Sequence, residues 1–153
     1  MKRIISGIVS FIVLLGMFVL PTSAAVDSES LVPSNYSLVM MEGSMIGINN
    51  GELERLTCTP IEKEGTLLLP LRYFFSTLGY EVVYNNGVCE IVKDSEKISV
   101  TQGTAGITVN DEEHTLSSIC ENIGGNLYIP VDICDIIKLQ YKYSANKLFV
   151  IYS

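Results

Sequence analysis

The sequence predicts an α+β fold: a mostly antiparallel sheet with two short helices, built from two similar ββ–β–α–ββ units over one shared core. Three observations carry this expectation. Leu67-Leu68-Leu69-Pro70-Leu71 returns as Leu127-Tyr128-Ile129-Pro130-Val131, each with a glycine two places upstream (Gly65, Gly125). The flanking segments are short, rich in β-branched residues and separated by turn chemistry. Leu71, Phe74, Phe75 and Leu78 fall at i, i+3, i+4, i+7, one face of a helix. A chain of 153 residues suffices for one domain of ordinary size, or for two small repeats with a common interior.

The first element is a leader. Lys2 and Arg3 precede an almost wholly apolar run from Ile4 to Leu20, then Pro21 and the small residues Thr22-Ser23-Ala24-Ala25. A basic start, a greasy middle and a small-residue cleavage site predict a secretory signal peptide over 1–25. An uncleaved membrane anchor is the rival reading, and the small-residue site favours removal. A polar linker (26–35) follows, then units of about 36–97 and 98–153.

Each unit opens with alternating segments. Leu38-Val39-Met40-Met41-Glu42-Gly43 matches Ile98-Ser99-Val100-Thr101-Gln102-Gly103. After a one-residue shift, Ile48-Asn49-Asn50 matches Val109-Asn110-Asp111. Asn49-Asn50-Gly51 and Asn110-Asp111 supply the turns. A brief apolar strand then runs into Pro70 or Pro130, where proline suits the first turn of a helix. Gly79 supplies the stop of the first helix. The second, about 131–139, has Asp132 and Asp135 near its start, where they favour the dipole. A hairpin closes each unit: Asn86-Gly87 is a strong type I′ signal and Ser144-Ala145-Asn146 a weaker counterpart. One short helix cannot cover such a sheet alone, so the two units are expected to pack together.

The string Thr66-Leu67-Leu68-Leu69-Pro70-Leu71-Arg72, with Thr77-Leu78-Gly79, Glu81-Val82-Val83-Tyr84 and Ile91, resembles the copper amine oxidase-like N-terminal domain, or stalk domain, of exported bacterial proteins. The resemblance covers about 36–153. The second unit departs from the pattern, with Asp132 where Arg72 stands and no glycine after its helix. The resemblance implies a non-catalytic exported module. The copper chemistry of amine oxidases lies in a separate, larger domain and needs several imidazoles, whereas this chain has 1 histidine, His114.

Charge narrows the partners. The chain carries 10 basic and 17 acidic residues; without Lys2 and Arg3 it would keep 8 against 17, a net charge of −9. Such a chain repels phosphate backbones, which argues against nucleic acid. No second apolar run is long enough to cross a bilayer, so membrane contact is expected only through an uncleaved leader.

Four cysteines follow the leader: Cys58, Cys89, Cys120 and Cys134. Outside the cytoplasm they permit three disulfide connectivities. Cys58 and Cys120 occupy near-equivalent places in the two units and are the candidate bridge; the bland alternative makes all four buried thiols in the core. No Cys-x-x-Cys spacing supports zinc or a thioredoxin-like motif. Asp111-Glu112-Glu113-His114 is the densest group of metal-ligand types, but it sits at an expected hairpin tip and lacks the spacing of a calcium loop, so no metal site is assigned. A Cys–His nucleophilic pair has no tight turn to present it, so no catalytic residue and no cofactor are assigned. The candidate ligand surface comprises Arg72, a cation at the start of an apolar helix, and Tyr84, Tyr141 and Tyr143, whose rings offer an apolar face and a polar handle.

The functional expectation is an exported, non-catalytic binding or spacer module of the cell envelope or extracellular space, contacting protein or polysaccharide. The alternative is a small-molecule or metal-ion carrier, or a redox sensor, using the cysteines or the acidic turn.

Overall fold

A computed structural model of the chain describes residues 36–152. The expected leader (1–25) and linker (26–35) lie outside the described residues. The described chain is mostly antiparallel sheet with two helices, an α+β fold.

Turns set the strand breaks. Asn50 and Gly51 (φ +47° and +86°) close the hairpin of β2 (Ile46–Asn49) and β3 (Glu52–Arg55). Asn86 and Gly87 (φ +49° and +84°) close that of β6 (Glu81–Asn85) and β7 (Val88–Lys93). Asn110 and Asp111 (φ +50° and +67°) close that of β9 (Gly106–Val109) and β10 (Glu112–Thr115). Left-handed backbone at both central residues is the type I′ geometry that matches strand twist. The weaker hairpin signal joins β13 (Tyr141–Tyr143) to β14 (Leu148–Tyr152), with Lys147 in the left-handed region.

The strands form three sheets. One is a five-stranded run in chain order, β6 through β10, with β8 (Glu96–Thr101) at its centre. The second five-stranded sheet joins the chain's far ends: β13 and β14 lie beside β1 (Tyr36–Met41), which pairs in turn with β2 and β3. Val39 stands opposite both Val150 and Ile48. The third sheet has four strands in the order β11 (Glu121–Ile123), β12 (Asn126–Pro130), β5 (Thr66–Pro70), β4 (Ile61–Lys63). At its middle Leu69 faces Ile129, flanked by Leu68 opposite Pro130 and Pro70 opposite Tyr128.

One hydrophobic cluster takes side chains from all three sheets and both helices. Leu38, Met40, Leu69, Ile91, Ile98, Ile129, Phe149 and Ile151 contribute, with Phe74 and Phe75 from α1 (Leu71–Thr77) and Ile133 and Cys134 from α2 (Ile133–Ile136). Phe74 and Phe75 meet edge to face at 5.0 Å. Packing of this kind, rather than propensity, is what holds a seven-residue helix in place.

Four details depart from the sequence expectation. Five strands lead into each helix, β1–β5 and β8–β12, rather than the three of ββ–β. The second helix is a single turn, 133–136, rather than 131–139. No one-residue shift separates the early strands: β2 begins at 46 and β9 at 106. Pro70 is also the last residue of β5 and the N-cap of α1, in extended backbone, rather than a residue of its first turn.

Candidate functional site

Helix α1 turns Leu71, Phe74 and Phe75 into the core, which brings Arg72, Tyr73 and Ser76 out toward β6, the segment after β3 and the β11–β12 turn. Together these enclose an open cavity of about 350 Å³. Its wall combines Arg72 and the hydroxyls of Thr57, Tyr73 and Tyr84 with the amides of Asn122 and Asn126. Leu71, Val82 and Leu127 supply apolar surface, and Cys58 and Cys89 supply two thiols.

Arg72 donates from Nη1 to the carbonyl oxygen of Val82 at 3.2 Å. Val82 lies on β6, an edge strand, so the guanidinium satisfies an acceptor that no neighbouring strand would reach. Among the described residues no carboxylate comes within ion-pair distance of Arg72. Its charge is felt by Cys89: burial pushes that thiol up, and Arg72 pulls the other way. Tyr84 is exposed and donates to Oε1 of Gln102 at 2.7 Å. Tyr73 donates to Oε2 of Glu54 at 3.3 Å, and burial raises its pKa.

Arg72 and Tyr84, two of the four candidate surface residues, therefore meet at one cavity. The lining holds donors, acceptors and a single fixed cation beside apolar carbon, the composition of a recognition site. It places neither imidazole nor carboxylate beside the thiols to act as a base.

A family model for the copper amine oxidase N-terminal domain matches residues 48–151. The chain belongs to that family. The family is the non-catalytic, accessory N-terminal part of amine oxidases, so membership brings no oxidase chemistry to this chain. Comparison with curated proteins gives no match.

In this copper amine oxidase N-terminal domain the other two candidate tyrosines lie elsewhere, on β13 of the second five-stranded sheet. Tyr141 packs its ring 5.9 Å from that of Phe149 and donates to Oδ2 of Asp135 at 3.2 Å. Burial, then the Asp135 carboxylate, pushes its pKa up to about 12. Tyr143 donates to Oε2 of Glu62 at 3.1 Å. Both are engaged in holding β13 down, and the four-residue surface divides into two places.

The candidate Cys58–Cys120 bridge is absent, and all four cysteines are free thiols. Cys58 is half-buried in the cavity wall, with Thr57 Oγ1 3.7 Å from its sulfur, while Cys120 is wholly buried in the core cluster. Burial pushes Cys120 up to about 12 and raises Cys134 further. Glu112, Glu113 and His114 lie on β10, opposite Val109, Thr108 and Ile107. Among the described residues no three His, Cys, Asp or Glu side chains converge on a point.

Sequence reasoning missed Val82, Cys89 and Asn126 as cavity residues. A signal for Cys89 existed: the Asn86-Gly87 turn sets it opposite Tyr84, a residue already singled out.

Proposed function

We propose that the chain is an exported, non-catalytic binding or spacer module, acting in the cell envelope or extracellular space through contacts with protein or polysaccharide, and that it is a duplicated unit closed over one interior. The observation that carries the binding reading is the Arg72–Tyr84 cavity, lined by both a cation and an exposed ring on an otherwise acidic chain. Export is supported by the Met1–Ala25 pattern of charge, greasy run and small residues.

Duplication is supported by strand positions. Strands at 46–49, 52–55, 61–63 and 66–70 recur at 106–109, 112–115, 121–123 and 126–130. The pairing of Leu69 with Ile129 puts equivalent residues opposite each other, as a local two-fold axis requires. On that reading β13 and β14 of the second copy complete the sheet of the first copy's β1–β3, and β6 and β7 do the same for β8–β10.

The test is capture of wall polysaccharide and surface proteins from the producing cell by immobilised protein, compared with Arg72→Gln and Tyr84→Ala. One stoichiometric partner, lost in both variants, is the expected result; a partner retained by both refutes the cavity as the binding surface. The cavity also favours a second reading, a small-molecule carrier. The redox version of that alternative draws less support, since Cys89, Cys120 and Cys134 are buried with raised pKa values.

A further inference from the structure

We propose that the Arg72 cavity binds a small organic carboxylate with an apolar tail, held by the Arg72 guanidinium and the backbone N–H of Thr57. The inference rests on the duplication and binding readings above and names the ligand they leave open.

The second half of the chain displays the arrangement with its own carboxylate. Oδ2 of Asp132 accepts the backbone N–H of Ser117 at 2.6 Å. Sixty residues earlier stand Arg72 and Thr57. The backbone leading into the two positions is alike: Leu116 N–H bonds Ala105 O at 2.8 Å, and Leu56 N–H bonds Met45 O at 2.9 Å. Thr57 lines the cavity, and its N–H has no acceptor among the described residues. The first half thus keeps the donor, loses the internal carboxylate and puts a cation in its place.

Two further exchanges make the room. Tyr141 faces Ile151 as Val82 faces Ile91, and Phe149 stands 60 residues after Cys89. In the second half those two rings pack on each other at 5.9 Å. In the first half valine and cysteine leave the space open. Three differences (Asp to Arg, Tyr to Val, Phe to Cys) separate a self-filled position from a cavity with a cation in its wall.

A carboxylate fits better than a phosphate. Its single charge matches one guanidinium, and its two oxygens suit the planar fork. A phosphate dianion would want a second cation, and the lining has none. Pro70, Leu71, Val82 and Leu127 then offer apolar wall to the rest of the ligand.

The test uses the full-length chain labelled with nitrogen-15 and the isosteric probes phenylacetate and phenylacetamide, with inorganic phosphate as a third arm. Saturable shifts at Thr57 and the cavity amides with phenylacetate, at least about tenfold weaker with the amide, are expected. Arg72→Gln should weaken phenylacetate about tenfold, and Cys89→Phe, which restores the ring of the other half, should abolish binding of either probe. If one variant fails to fold, the probe pair on the unaltered chain still decides. Equal binding of acid and amide overturns the carboxylate assignment while leaving a binding cavity. Stronger binding of phosphate overturns it too. Silence toward all three up to about 20 mM overturns the inference outright, and the binding-module reading then stands or falls on surface capture.

Discussion

Lys138 holds a backbone conformation that lysine disfavours. Its φ is +59°, and its N–H bonds Asp135 O while that of Leu139 bonds Cys134 O, the ending that Gly79 and Tyr80 give to α1. A side chain in the left-handed region costs roughly 1–2 kcal/mol where glycine costs little. Lys138→Gly should therefore raise stability by about 1 kcal/mol, read as a higher urea midpoint at unchanged slope. Gly79→Ala should lower it by a similar amount. The added carbon would meet only the end of the Lys93 side chain, 3.7 Å away, so the cost is in the backbone. Thiols give a second residue-scale prediction. Cys58, half-buried at the cavity, should react first with a thiol reagent, and the three buried thiols should stay silent until denaturant is added. Three fast thiols would contradict the packing. The glycine stop after Leu78 was legible because a stop is local. The meeting of Arg72 with Tyr84 was not, since it depends on how α1 lies against β6.

At the scale of elements, Gly47 on β2 is the most crowded of the described glycines. A methyl group there would sit 2.9 Å from Leu56 Cδ2 and 3.0 Å from the backbone oxygen of Val39. The leucine can yield and the backbone cannot, so Gly47→Ala should cost about 1–3 kcal/mol in denaturant unfolding. Phe149, wholly buried between Phe74 and Tyr141, should lose about 3–5 kcal/mol as Phe149→Ala. A cost under about 1 kcal/mol would show that its end of the core is not packed as described. The sequence made the apolar strands visible and hid the edges. In β3 all four residues, Glu52 to Arg55, are exposed, so no alternation marks the strand. β4 and β11 are three residues each, too short for any period to register. The second helix was overestimated because Val131, Ile137 and Leu139 are apolar. Their burial is met in a turn before the helix and a left-handed stop after it.

The whole molecule depends on joining chain ends that lie far apart in sequence. β14 sits beside β1, Lys147 reaches Glu42 at 2.6 Å, and Tyr128 donates to Thr59 O at 3.0 Å. Self-comparison revealed two similar stretches and a common interior, but not which strands would cross between them, because that choice is made by long-range pairing. Buried acids also give the molecule a pH response. The Cys120 thiol, ordinarily near 9, is pushed up to about 12 by burial, and Tyr141, ordinarily near 10, to about 12. The unfolded chain releases these protons first, so it binds fewer than the folded one, and stability should fall as pH rises from about 9 toward 12. An unfolding midpoint unchanged across that range would oppose the burial described. The central claim is that one interior serves the entire described chain. Scanning calorimetry of the full-length chain tests it most directly. A single transition is expected, with calorimetric and van't Hoff enthalpies equal at about 80 kcal/mol for about 120 ordered residues. Two resolved transitions of about half that enthalpy each would mean that the halves fold independently, and would contradict the account.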